Sequence, residues 1–142
     1  MPFRATMLLA DSAQAVENKL YILGGGWDVT GPAPVPCAIA MLIQVSWDLT
    51  NRRHHWRLEL VDSDGQPVQV SPAGGETVAV EGEFEVGRPV GVAPGSWLAV
   101  PLAINFAPIP LTPGNRYEWR LTVADQSDED WRLPFAVRES QP

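Results

Sequence analysis

A chain of 142 residues is long enough to bury a substantial core without disulfides or a structural metal, and its size matches one domain over residues 1–142. The net charge is -7, with Lys19 the one lysine among ten basic residues, so nucleic acid and membrane surfaces are not expected partners. The one cysteine, Cys37, rules out an internal disulfide and fits a reducing compartment.

Phe3, Ala5, Met7 and Leu9 alternate with Arg4 and Thr6, a period of two that places successive side chains on opposite faces of a sheet. Asp11 stops the apolar run Met7 to Ala10 short of a signal peptide's length, and a cytoplasmic location is expected. Asp11 to Val16 is the single helix candidate, with Asp11 as cap and Gln14 three residues on. A strand over Leu20 to Leu23 then meets Gly24-Gly25-Gly26, read as a bulge or wide turn. Neither the helix nor the lysine and hydroxyl of a phosphate-binding loop follows it.

Further along, Ile39, Met41, Ile43, Val45 and Trp47 form one face against Ala38, Ala40, Leu42, Gln44 and Ser46. Trp56, Leu58 and Leu60 point inward against Arg57 and Glu59. Val78, Val80, Phe84 and Val86 point inward against Glu81, Glu83 and Glu85. The last three strands align Leu98, Val100, Leu102, Ile104 and Phe106, then Tyr117, Trp119, Leu121 and Val123, then Trp131, Leu133, Phe135 and Val137. Such one-sided patterning belongs to antiparallel sheets with a wet outer face.

Turn signals separate these runs at Asp62-Ser63-Asp64-Gly65, Pro72-Ala73-Gly74-Gly75, Gly87-Arg88-Pro89, Pro94-Gly95 and Pro113-Gly114, giving about eight or nine strands. Val29 to Trp47 and Pro89 to Asn115 carry no Asp, Glu, Lys or Arg. Prolines and glycines break both segments, which suits a sheet with turns and not a membrane span.

Tyr117 stands three residues after Gly114 and six after Leu111. A tyrosine so placed buries its ring and returns its hydroxyl to a backbone group upstream, closing a crossing between two sheets. The segment resembles the tyrosine corner of fibronectin type III and other immunoglobulin-like sandwiches. The expected fold is therefore all-β, a single-domain antiparallel Greek-key β-sandwich of immunoglobulin-like form. Leu8 to Trp27, ending in Gly24-Gly25-Gly26-Trp27, together with Tyr117-Glu118-Trp119-Arg120-Leu121, also resembles a family of small bacterial proteins without an assigned function. That resemblance implies no catalytic or binding residues.

Candidate sites are few. His54 and His55 are adjacent, so on a strand they face opposite ways and cannot share a metal; with Arg52, Arg53 and Arg57 beside them they read as an exposed strand start. Asp62-Ser63-Asp64-Gly65 lacks the later ligands of a calcium loop and reads as a hairpin turn. Asp125, Asp128, Glu129 and Asp130 form a solvated loop with at most weak calcium affinity. Glu81, Glu83 and Glu85 offer carboxylates of the kind glycosidases pair, but cross-strand pairing with Arg57, Arg116, Arg120 and Arg132 explains them more simply.

Four of six tryptophans (Trp47, Trp56, Trp119, Trp131) fall on the inner face, whereas Trp27 and Trp97 fall out of phase. Either burial under a loop or contact with a partner or sugar accounts for those two. Nothing in the chain calls for a cofactor or a metal, and no nucleophile, base and orienting acid stand in a recognisable arrangement. The expectation is a non-enzymatic protein acting by protein–protein contact or as a homo-oligomer, with Trp27 and Trp97 as candidate binding residues. A small-ligand or carbohydrate module built on the same tryptophans is the alternative.

Overall fold

The structure is a computed structural model that describes residues 2–69 and 75–140. The expected turn over Pro72-Ala73-Gly74-Gly75 lies almost wholly outside the described residues. The chain runs β1 (Phe3–Ala10), β2 (Ser12–Val16), β3 (Lys19–Leu23), β4 (Val29–Thr30), β5 (Cys37–Val45), a 3-10 turn (Trp47–Leu49), β6 (Arg53–Asp62), β7 (Ala79–Glu85), β8 (Leu98–Phe106), β9 (Arg116–Val123) and β10 (Arg132–Val137). One sheet has the order β1-β5-β8, a second β4-β10-β9-β6-β7, and β2 pairs with β3 as a separate hairpin. All pairings are antiparallel except β4 with β10.

The alternation read from the sequence decides what is buried. Phe3, Met7 and Leu9 of β1 and Ile39, Met41, Ile43 and Val45 of β5 join Trp56, Leu58 and Leu60 of β6 and Tyr117, Trp119, Leu121 and Val123 of β9 in one core. Two sheets therefore pack face to face, with Phe106 of β8 stacked on Trp119 across them, ring centroids 4.8 Å apart. The inward residues of β8 are only partly covered, because β8 lies at a sheet edge. Gly82 is the inward residue between Val80 and Phe84 because a Cβ there would meet the Trp56 indole at 3.0 Å.

Several expectations are corrected. Ten strands are present among the described residues, more than the eight or nine expected, since β4 has only two residues and β2 replaces the helical turn anticipated over Asp11 to Val16. A helix of one turn cannot hold itself together in water, whereas β2 gains β3 through a two-residue turn in which Glu17 and Asn18 both adopt positive φ, 50° and 61°. Trp47 does not continue the inner face of β5: the strand ends at Val45, and Trp47 sits half-buried in the 3-10 turn beneath the Arg88 guanidinium, 4.2 Å from its ring centroid. No helix among the described residues is long and apolar enough to cross a membrane.

The Tyr117 hydroxyl accepts a hydrogen bond from the Thr112 backbone N–H at 2.9 Å, five residues upstream, as its spacing predicted. Thr112 is exposed and water can replace the lost acceptor, so Tyr117→Phe is expected to destabilise by only about 0.5–1.5 kcal/mol. Urea unfolding at unchanged m-value measures this, and a loss above that range would mean the hydroxyl organises more of the Leu111 to Asn115 turn than one bond.

Candidate functional site

Charge is sorted between the two outer faces of the molecule. On the β7-β6-β9 side, Arg57 and Glu81 stand directly opposite and pair at 3.0 Å, Arg53 reaches Glu83 diagonally at 3.3 Å, and His55 lies 3.6 Å from Glu81. Only the Arg57–Glu81 pair is among those anticipated, Arg53 and His55 taking the places expected of Arg116 and Arg132, and each pair contributes under about 1 kcal/mol because both partners are wet. Arg120 differs from expectation: it bonds Glu118 two residues away on its own strand at 2.7 Å.

The outer face of β1-β5-β8 is uncharged except at one corner. It is formed by Thr6, Leu8, Ala38, Ala40, Leu42, Gln44, Ala99, Pro101, Ala103 and Asn105, as the register dictates. It is not uniformly wet. The β2–β3 hairpin lies on it, burying Ala10, Ala13, Ala38 and Ala40 against Leu20 and Ala103. The Asn105 side chain clamps the hairpin, accepting from the Ala13 N–H at 3.2 Å and donating to the Ala13 carbonyl at 2.8 Å.

Glycines return the chain from this hairpin to the main body. Gly24 adopts φ +63°, and a Cβ there would collide with the Asp11 carboxylate. The Asp11 N–H donates to the Leu23 and Gly24 carbonyls, and the Gly26 N–H donates to Leu9 at 2.7 Å. The glycine run is thus a turn, as expected, and it docks a third layer. The sequence signal for that layer was the alanines at 10, 13, 38, 40 and 103, small enough to let another backbone approach; the alternation alone did not reveal it.

The hairpin leaves an apolar surface exposed. Leu8, Ile22, Tyr21 and Leu23 are all exposed, Leu23 to 70%. Leu8 and Ile22 are neighbours, both within 4 Å of the point where a Cβ on Gly25 would sit. At the far corner the Arg4 guanidinium lies over the Trp97 ring, 4.0 Å from its centroid, a contact of about 0.5–1 kcal/mol at an exposed site.

Trp27 stands elsewhere. It is half-buried against the core with its ring edge-on to Phe135, centroids 6.0 Å apart. Trp97 adjoins Arg4 near the start of β1 and Trp27 follows Gly26, which bonds Leu9 near its end. Five residues of strand, about 16 Å, separate those anchors, so the two candidate tryptophans do not form one site. Trp27 lines a cavity under the segment Thr30 to Val35, floored by Leu60, Trp119, Phe135 and Val137. Cys37 also borders this cavity, and burial pushes its thiol up from the usual range, which suppresses the reactive thiolate at neutral pH.

The histidines divide as alternation requires, but only His55 is exposed. His54 is buried, edge-on to Phe3 at 5.0 Å, and its Nε2–H donates to the Leu49 carbonyl at 2.7 Å. The expectation that both histidines begin an exposed strand is corrected for His54, whose position opposite Phe84 places it on the inner face. The Asp62 carboxylate accepts from the Asp64 and Gln66 N–H groups at 2.9 and 3.0 Å, closing its own hairpin. Asp128 does the same for Asp130 at 2.9 Å. No group of three His, Cys, Asp or Glu side chains is placed to hold a metal among the described residues.

No curated protein matches the chain. Residues 5–138 match a family of unknown function, DUF6941. That span takes in the hairpin, its glycine return and both sheets, and the chain belongs to this family.

Proposed function

We propose that this protein acts by contact and not by chemistry, associating with a second copy of itself through the uncharged outer face of β1-β5-β8 and the hairpin beside it. The observation that carries the reading is the sorting of charge: ion pairs occupy one outer face, while Leu8, Ile22, Tyr21 and Leu23 are exposed on the other. Between copies of a chain of net charge -7, like-charge repulsion is least when the facing surfaces carry few acidic groups. An exposed apolar patch rimmed by polar groups such as Gln44 and Arg4 is the usual form of a protein-contact surface.

Three strands about 30 Å long and 4.8 Å apart span roughly 400 Å². The hairpin covers part of that area over Ala38, Ala40 and Ala103, so each copy offers the uncovered remainder together with the hairpin's own outer surface. That is at the small end for specific interfaces, so the dimer is concentration-dependent. The strand order, the Tyr117 hydroxyl bond and the parallel β4–β10 pair support an immunoglobulin-like Greek-key reading of the two sheets. A sugar platform fits less well: Arg4 covers one face of Trp97, and Trp27 meets Phe135 edge-on within the core.

Light scattering over a concentration series tests the proposal. Wild-type mass is expected to climb from 15.5 kDa toward twice that value. The Leu8→Glu/Leu23→Glu double variant should stay monomeric with an unchanged melting temperature, and Trp97→Ala should weaken assembly with the fold retained. A wild-type mass that stays flat at the monomer value across the series overturns self-association.

A further inference from the structure

The outer face of β6, β9 and β10 carries a groove of about 250 Å³, lined by Arg57, Glu59, Arg120 and Arg132 and by Ser127 and Asp128 of the loop before β10. Register puts Glu59 directly opposite Arg120, and Arg120 directly opposite Arg132, so the three side chains leave the sheet in one row on one face. In that row Arg120 is the expected partner of Glu59, while Arg120 beside Arg132 is an unfavourable like-charge pair. Arg120 instead runs along its own strand. Its Nε–H donates to Glu118 at 2.7 Å, and its terminal nitrogens lie at the Gly65 turn, the nearer 3.9 Å from where a Cβ on Gly65 would sit.

Two opposite charges are thereby left at the ends of the row. Among the described residues neither Glu59 nor Arg132 takes part in an ion pair. The remaining charged groups of the groove are engaged, Arg57 with Glu81 at 3.0 Å and Asp128 with the Asp130 N–H at 2.9 Å. Two strand spacings, about 9.6 Å, separate the Glu59 and Arg132 backbones. A simple anion entering here meets the free carboxylate of Glu59, and a simple cation meets the free guanidinium of Arg132; a molecule with one charge of each sign at its two ends satisfies both. We propose that this groove is a binding site for a small amino acid whose ammonium and carboxylate are separated by several carbons, the ammonium donating to Glu59 and the carboxylate accepting from the Arg132 guanidinium. The Thr122 and Ser127 hydroxyls line the same groove and supply further hydrogen bonds to the carboxylate. This site lies on the other sheet from the outer face of β1-β5-β8 and does not rest on self-association.

Three near-isosteric probes test it on the full chain at low ionic strength: γ-aminobutyrate, which carries both charges, pentanoate, which lacks the ammonium, and isohexylammonium, which lacks the carboxylate. Backbone amide resonances of Glu59, Thr122 and Arg132 are followed by two-dimensional NMR. γ-Aminobutyrate is expected to shift them saturably and to bind about tenfold more tightly than either singly charged probe, the factor one charge-assisted hydrogen bond provides. In Glu59→Gln the advantage over pentanoate should vanish, and in Arg132→Gln the advantage over isohexylammonium should vanish. The proposal is overturned by resonances that γ-aminobutyrate does not shift, by a singly charged probe that binds wild type as tightly, or by variants that keep the full preference. The wild-type comparison of probes decides the matter even if a variant folds poorly.

Discussion

Trp119→Ala is expected to remove about 3–5 kcal/mol of stability, the largest loss of any single truncation considered. Trp119 is 1% exposed, lies between Leu60 and Leu133 in the register of its sheet, and stacks on Phe106 of the opposite sheet. Its ring thus joins the edge strand β8 to the centre of the other sheet. The residue also floors the cavity beside Trp27, so truncation enlarges a void that is already imperfectly filled. Since small domains hold about 5–15 kcal/mol in all, the variant should unfold at much lower urea concentration. Urea titration followed by the remaining tryptophans measures the change. Trp97→Ala, at a half-buried rim position beneath Arg4, is the control and should lose clearly less than Trp119→Ala. Equal losses for the two variants would contradict the placement of Trp119 as the link between sheets.

The second large effect concerns the hairpin. Ala40→Glu places a carboxylate where a methyl is 2% exposed, beneath β2 and beside Ala13 and Ala103. Burying that charge unpaired is not tolerated, so the hairpin is expected to leave the sheet, at a loss of about 2–4 kcal/mol in local stability. The loss is capped by the docking energy of the hairpin itself, which the two Asn105 bonds to Ala13 and a layer of alanines supply. A detached two-stranded hairpin is only marginally stable in water. The readout is therefore local: chymotrypsin should cleave after Tyr21 much faster in the variant, while the Trp119 core remains folded. Unchanged protection at Tyr21, or loss of the whole fold together, would show that the hairpin is not an independently docked layer.

Local patterning made much of this legible. The alternation of Phe3 to Leu9, Ile39 to Val45, Trp56 to Leu60 and Tyr117 to Val123 assigns the inner face correctly because side-chain direction in a strand has a fixed period of two. The tyrosine spacing anticipates its hydroxyl bond for the same reason: both partners lie within six residues. The cross-strand pairing of Arg57 with Glu81 was likewise readable, since opposite charges on facing strands attract whatever the rest of the chain does.

What remained hidden depends on contacts between distant residues. His54 carries a polar side chain, yet its neighbours Phe3 and Phe84 come from other strands, and they make its face an inner one. The carboxamide of Asn105 finds its partner 92 residues away, and the docking of the hairpin there turns Ala38 and Ala40 from an outer face into a second small core. The sequence by itself determined which residues form strands and which side of each strand is apolar, because those properties are set by neighbours along the chain. Only the tertiary structure decided which apolar sides are covered, which stay exposed at Leu8 and Leu23, and where the Trp27 indole N–H lies without an acceptor among the described residues, because coverage depends on which strands become neighbours in space.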